Sequence, residues 1–392
     1  MLVITKLTYA EVEFRLSGFG TVGLTHSSSK QVDFTTQLYT SGAGYSHDTD
    51  IGNDSLAAIQ LDTKINQYLS SSVQIMSQRH STKNNFDPHV ELANIKFTPV
   101  SNLAIRVGRL GLPAFIASDY INVNYGNLWA RAPVEVYNQV PFTHVDGTDV
   151  IYQKDMAGGT LSLQGIYFNL VLDDYRGYKV KAKDGKMFNI SYEKGPFLTR
   201  VLWGKIHNIF EPLQPIPGAD TPIIKTLMNE IAGPTKAKYM AAGFVYDPGH
   251  WILQGEYTHR VADSVAIATT NSWYLMAGKR IQKFTPYLTV SSLKSKGPYN
   301  SPYATFLESG VYGPDLVKLG QAVNAGIAYQ NQSQTSFATG IRYDIAQNIA
   351  IKAQYDYIKP SAGSYGMFSY PANQTSPANA VHLLTVNLSF VF

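Results

Sequence analysis

The side chains with the greatest chemical potential fall into a few groups. Asp48, Asp50 and Asp54, with Gly52 and Asn53 between them, set several oxygen ligands on one turn, the donor type Ca2+ takes. No bidentate Glu follows, so a solvated turn is the plainer reading and a divalent-ion site the weaker one. Gly18-Phe-Gly20-Thr-Val-Gly23 matches the dinucleotide fingerprint, but Leu24-Thr25 continue a strand where a helix should start. Glycines that make room for bulky neighbours account for it better. There is no Cys, which excludes disulfides, thiol catalysis and Cys-ligated metals. A Ser–His hydrolase needs both side chains on one face; alternation points His259 outward and Ser272 inward. We therefore expect no catalysis and no cofactor.

What remains is charge. Lys64, Lys96, Arg106, Arg200, Arg342 and Lys352, with Asp62, Asp149, Glu193, Glu256, Asp344 and Asp356, share one face of alternating segments. Such a mixed lining orients water and passes small polar solutes, and its field sets ion preference. If Arg106, Arg200 and Lys96 face the narrowest point, a slight anion preference is expected.

The elements that carry these residues are strands. The chain has 392 residues, 44% hydrophobic, 12% aromatic and only 15% charged, with net charge +4 from 32 basic and 28 acidic residues. Soluble proteins average about 25% charged. No basic run suggests nucleic-acid binding. No stretch nears the roughly 18 apolar residues of a membrane helix, which leaves a closed barrel as the only spanning structure. Met1–Ala10 reads as a leader or signal-peptide remnant, with 11–392 as one barrel domain.

Period-two alternation repeats along the chain. Leu384, Val386, Leu388, Phe390 and Phe392 alternate with Thr385, Asn387 and Ser389; Ile341, Tyr343 and Ile345 alternate with Gly340, Arg342 and Asp344. One face is apolar for lipid and the other polar for a wet lumen. Tyrosines beside short turns, such as Tyr152, Tyr192, Tyr246 and Tyr343, supply an interfacial girdle. The predicted strands are 12–25, 55–66, 69–78, 89–98, 103–110, 147–154, 160–168, 186–193, 197–205, 236–247, 251–260, 272–281, 284–293, 336–345, 349–358 and 381–392. About sixteen strands of about ten residues suit a tilted bilayer crossing. Short turns alternate with long loops at 27–54, 111–146, 170–185, 206–235, 294–335 and 359–380, the longer ones facing outside in such barrels. Helices are expected near 223–231 and 314–328, within loops.

The segments Arg106-Val-Gly-Arg109-Leu-Gly-Leu-Pro113, Ser118-Asp119-Tyr120 and Trp129-Ala-Arg131-Ala-Pro133-Val-Glu135-Val-Tyr137 carry a resemblance. With the Gly340-Ile-Arg-Tyr-Asp344 hairpin and terminal Phe392, they resemble the Gram-negative outer-membrane general porins. That resemblance implies an all-β transmembrane antiparallel barrel, a homotrimer, and passive diffusion of small hydrophilic solutes across the bacterial outer membrane. It also implies that 111–146 folds inward as the constriction loop, and it makes outer-membrane lipids and lipopolysaccharide partners. General porins set a dense acidic cluster on that loop against an arginine ladder. Here Asp119, Glu135 and Asp146 stand beside Arg131, so the expected field is weak and mixed. Asn122, Asn124, Tyr125, Trp129 and Tyr137 could form a sugar-stacking slide; anchoring of the loop by Trp129 and Tyr137 is favoured. A solute-specific porin for an anion such as phosphate or an organic acid, and a non-conducting adhesin or scaffold, are the alternatives.

Overall fold

The computed structural model describes residues 12–36, 42–79, 85–175, 178–212, 214, 218, 220–265, 267–371 and 376–392. The predicted leader at 1–10 lies outside them. Sixteen long strands form one sheet: β1 (Glu13–Ser27), β2 (Leu56–Lys64), β3 (Leu69–Gln78), β4 (His89–Val100), β5 (Leu103–Gly111), β6 (His144–Met156), β7 (Gly159–Tyr175) and β8 (Tyr178–Lys194). The second half comprises β9 (Phe197–Pro212), β10 (Thr235–Tyr246), β11 (Trp251–Ala262), β12 (Thr269–Lys279), β13 (Phe284–Lys296), β14 (Gln334–Ala346), β15 (Ile349–Pro360) and β16 (Val381–Val391). Each pairs antiparallel with its sequence neighbour. β1 pairs with both β2 and β16, running from Phe19↔Val391 to Ser27↔Leu383, so the sheet closes without an edge. Closure is what lets every backbone group find a partner in lipid.

The side chains obey the expected alternation. In β16 Leu384, Val386 and Leu388 are exposed on the outer wall, while Thr385, Asn387 and Ser389 are buried inside. A ring of aromatics marks the short-turn end, with Phe197 stacked on Tyr246 (4.4 Å) and Phe284 on Tyr343 (4.7 Å). Gly18 and Gly20 face outward under two rings: a Cβ on Gly18 would meet Phe392 at 2.4 Å and one on Gly20 would meet Phe390 at 2.6 Å. Two of the three fingerprint glycines thus seat the C-terminal aromatics, and the third, Gly23, makes room for Asp54, where a Cβ would lie 2.6 Å from that residue's own.

Two expectations need correction. The segment 170–185 is not a loop, because β7 and β8 continue through it as a hairpin, and β9 likewise runs on to Pro212. The lumen is also not uniformly polar. Inward positions Ile166, Phe168, Leu170, Ala182, Met187 and Leu202 are buried in an apolar cluster with the inward loop. A polar lumen follows only where water fills it; here protein does.

Helices occur in the loops. α1 (Val134–Tyr137) belongs to the inward loop, and α2 (Pro222–Ala232) is capped by Thr221, whose hydroxyl accepts from Ile224 N at 3.4 Å. α3 (Pro302–Leu307) and α4 (Pro314–Ala328) join α2 around Leu227, Ala304 and Leu307. Gly320 lets α4 approach α3 closely, since a Cβ there would lie 2.5 Å from Ala304 O. The predicted helices at 223–231 and 314–328 correspond to α2 and α4, whereas α3 had no expectation.

Candidate pore constriction

The loop between β5 and β6 turns inward at once. Leu112 N donates to Thr143 O (2.8 Å), closing its base, and the chain between descends through the barrel to a 3-10 turn at Asn124–Gly126. That turn reaches the far end, where Tyr125 Oη donates to Gln347 O in the short β14–β15 turn (2.5 Å). The loop therefore spans most of the barrel's depth.

Its position is fixed by side chains projecting from the wall. Lys352 is fully buried, and its Nζ faces four acceptors: Asn124 O, Asn124 Oδ1 (2.8 Å), Asn127 O (2.6 Å) and Trp129 O (3.0 Å). Only a protonated amine brings three N–H donors to such a cage. Arg342 adds bonds to Tyr125 O (2.5 Å) and Asn127 O (3.1 Å), stacks over the Tyr125 ring at 4.8 Å and pairs with Asp344 at 2.8 Å. Both residues face inward as expected, yet neither lines the passage with a free charge.

Arg131 is likewise an anchor. Its guanidinium bonds Asp54 through Nε (2.9 Å) and Nη2 (2.5 Å), takes in Thr25 (2.6 Å) and Thr385 (2.8 Å), and lies 3.5 Å from Asp356. Glu135, buried, accepts from Ser291 (2.8 Å), Gln334 (2.6 Å) and Ser336. Gln354 and Tyr287 hold the Ala130 amide at 3.0 and 2.9 Å, and Asn387 donates to Ala130 O at 2.8 Å. Glu256 accepts from Ile116 N at 3.0 Å. Trp129 and Tyr137 are anchors too: they meet edge to face at 5.6 Å, and Trp129 meets Tyr274 at 5.8 Å. The stacking-slide reading of these two is not what their burial supports.

Once these groups are spent, few charges face open lumen. Arg106 is bidentate to buried Asp149, with Nε 3.0 Å from Oδ1, and Gln164 also donates to Asp149 (2.7 Å). Arg200 reaches the loop at Phe115 O (2.8 Å) and Asp119 (3.1 Å). Lys96, opposite Arg106 in the β4–β5 register, is exposed and has no ion-pair partner among the described residues. Asp62 takes bonds from Gln60 (2.9 Å) and Ser72 (2.5 Å), and Lys64 pairs with Glu13 (3.0 Å) at the mouth. Asn122 donates to buried Glu91 at 3.3 Å. A cavity of about 660 Å3 lies between the loop and the β2–β4 wall, bordered by Asp54, Arg79, His89, Asn122 and Arg131.

Other expectations move. Asp146 belongs to β6, faces outward and pairs with Arg109 (2.8 Å), so it contributes nothing to the loop's field. The three carboxylates of the suspected calcium turn diverge: Asp48 to Lys30, Asp50 to Arg79 (2.6 Å), and Asp54 to Arg131. The Lys30 hydrogen bond and its charge hold exposed Asp48 below the usual aspartate pKa. Asp50 and Asp54 are thus buried ion-pair partners, not a solvated turn. Sequence reasoning missed Tyr287, Gln354 and Asn387 as loop supports; their inward parity was the available signal.

A closed sixteen-strand membrane barrel with a loop folded into its lumen defines a pore-forming outer-membrane protein. The Gram-negative porin family model matches residues 2–363, and this chain belongs to that family. It is a channel for passive diffusion in the bacterial outer membrane. Solved structures with the same fold include OmpT of Vibrio cholerae in a trimer form (11% identity, 98% of this chain and 100% of that one, TM-score 0.58). OmpF of Salmonella typhi in complex with daunomycin is similar over 97% of each chain at 14% identity and TM-score 0.55. An anion-selective porin from Comamonas acidovorans matches at 10% identity over 97% of this chain and 100% of that one, TM-score 0.56. No curated protein sequence matches significantly. At these identities the structural likeness speaks for the fold.

Proposed function

We propose that the chain works as a homotrimer and passes small hydrophilic solutes with weak selectivity and a slight anion preference. The observation that carries the selectivity is the pairing pattern along the passage. Arg106 is balanced by Asp149 and Arg200 by Asp119, which leaves Lys96 as an exposed, unpartnered cation opposite Arg106. That cation, set against an Asp62 carboxylate that meets only the neutral donors Gln60 and Ser72, biases ion flow modestly, because the lumen is wet and screened. Residues 111–146 act as the constriction loop. A trimer form of a structural relative is compatible with the proposed assembly. We further propose that the barrel carries out no chemistry: His259 bonds Asn271 (2.7 Å) on the outer face, while Ser272 is buried against Thr258 (2.7 Å).

Reversal potentials across a KCl gradient test the reading. Wild type is expected to favour Cl− slightly and Lys96→Glu to favour K+; strong cation selectivity of wild type would refute it. Saturable block by phosphate or an organic acid would point to a solute-specific porin, and lack of conductance to a structural barrel.

A further inference from the structure

Behind the returning limb of the inward loop the barrel holds a second hollow, apart from the passage. Four inward positions lie in one register row across β8–β11: Met187, Gly204, Tyr239 and Arg260. One step toward the long-loop end, the inward faces of β9 and β10 carry Ile206 and Ala237. Gly204 and Ala237 are the small members of this wall, and Met187 leans over the glycine, where a Cβ would meet its Cγ at 2.5 Å. The space left, about 110 Å3, is roofed by Val140, Pro141 and Phe142 of the loop.

The roof is pinned at Gln139. Arg260 Nη1 donates to Gln139 O (2.9 Å), Thr270 Oγ1 donates to Gln139 Oε1 (2.6 Å), and Gln139 Nε2 donates to Glu135 O (3.0 Å). The loop cannot settle into the hollow without breaking these bonds, so the space is preformed, as small-molecule sites usually are.

Its lining is mostly apolar: Phe142, Phe168, Val180, Met187 and Ile206. A cavity of about 150 Å3 walled by such residues stays dry and takes up benzene. One atom breaks the pattern. Tyr239 is 6% exposed, and its hydroxyl makes no hydrogen bond among the described residues. Thr258, the hydroxyl beside it, is engaged with Ser272 at 2.7 Å. A buried hydroxyl without a partner is costly, which raises the worth of a partner brought in from outside the chain. Arg260 is engaged by Gln139 O and by Ala268 O (3.3 Å), and Asn208 borders the end nearer the long loops. The hollow therefore presents neutral polar groups to an occupant.

We propose that this hollow binds one small neutral ring compound bearing a hydroxyl group, a monocyclic phenol in class. The ring occupies the space between Phe142, Met187 and Ile206, where aromatic and sulfur contacts favour a π face. The ligand hydroxyl pairs with Tyr239 Oη, since each can donate or accept. A volume of about 110 Å3 admits one ring and little more. Val140, Pro141, Phe142 and Leu172 border both this hollow and the larger cavity of the passage, so a solute in the channel reaches it past the partly buried Phe142. The inference goes beyond the selectivity proposed above and does not rest on it, because its readout is binding and not current.

The test follows fluorine NMR of 4-fluorophenol, fluorobenzene and 4-fluorobenzoate added to the full chain in detergent, with empty micelles as the baseline. Wild type is expected to bind one equivalent of 4-fluorophenol above that baseline, about tenfold more tightly than fluorobenzene, which is about the worth of one hydrogen bond. It should not bind 4-fluorobenzoate. Tyr239→Phe should lower the affinity for 4-fluorophenol about tenfold and leave fluorobenzene unchanged, a split that a general loosening of the barrel would not give. Ala237→Leu fills the hollow and should abolish binding of both. Absence of stoichiometric 4-fluorophenol binding to wild type overturns the proposal, as does an equal response of the two ligands to Tyr239→Phe. Tighter binding of 4-fluorobenzoate overturns it too, since Arg260 would then be drawing an anion. Should Ala237→Leu lose its heat-modifiable mobility and so its fold, the two affinities of Tyr239→Phe decide alone.

Discussion

Replacing Lys352 by Met keeps an unbranched side chain, one atom shorter, and deletes every N–H that the inward loop accepts from it. Of its four acceptors, Asn124 O keeps the Asn127 amide and Asn127 O keeps Arg342, so Asn124 Oδ1 and Trp129 O are the two left without a donor. A buried acceptor left unsatisfied costs about 1–3 kcal/mol, and water in the lumen favours the lower end. Two at about 1 kcal/mol shift the docked 3-10 turn toward release by about 2 kcal/mol, close to thirtyfold in its equilibrium. Arg131 and Glu135 still hold the next residues, so release should be confined to the turn. Single-channel recording in planar bilayers should show rapid fluctuations in Lys352→Met and long quiet openings in wild type. Chymotrypsin should cut at Tyr125 only in the variant. Lys96→Met removes the same charge without an anchoring role and should stay quiet and uncut. A Lys352→Met channel as quiet and protease-resistant as wild type would sink the reasoning.

Other perturbations follow the same logic. Arg131→Met leaves Asp54 and Asp356 buried without their cation, a loss of about 3–5 kcal/mol by analogy with broken buried pairs; the midpoint of urea unfolding in detergent should fall, and an unchanged midpoint would contradict the anchor role. In the short turn after β10, the hydrogen bond from Arg280 holds Asp247 below its ordinary pKa. A depressed folded pKa gives stability that is present above about pH 4 and lost as pH falls through the folded value, so Asp247→Asn should flatten the acid side of the stability profile while leaving pH 7–9 parallel to wild type. Gly20→Val drives a side chain into the Phe390 ring and should lower the folded yield, measured as heat-modifiable mobility on gels; normal yield would show that the ring has room to move.

The barrel was legible because lipid outside and water inside impose one rule on every strand. The β3 strand spans Leu69–Gln78 as predicted, with Val73 and Ile75 outward and Gln74 inward, although Met76 packs inward against Phe19 and Ala58. The rule also explains the failures. Above the membrane plane the outside is wet, and the inside of β7–β9 is packed against the loop, so alternation inverts: Lys179, Lys181 and Lys183 face out, and Val180 and Ala182 face in. Read with the membrane rule, that stretch looks like a loop. The loop's charges failed for a different reason. Arg131, Glu135 and Lys352 look like lumen charges in sequence, since parity gives direction but not depth, and only the docked loop turns them into buried anchors. Arg106 and Arg200 instead pair with Asp149 and Asp119, Arg200 where the loop meets the wall.

The partners of the inward loop have a consequence for assembly. Apart from the bonds of Arg131 to Asp54 and Thr25, residues 124–135 are held by Tyr287, Ser291, Gln334, Arg342, Lys352, Gln354 and Asn387, all from the last third of the chain. During synthesis and export those contacts come last, across sequence separations that make them entropically slow to form. The wall can therefore zip strand by strand around an open bore, and the cross-section available to solutes is set only when the barrel closes on itself.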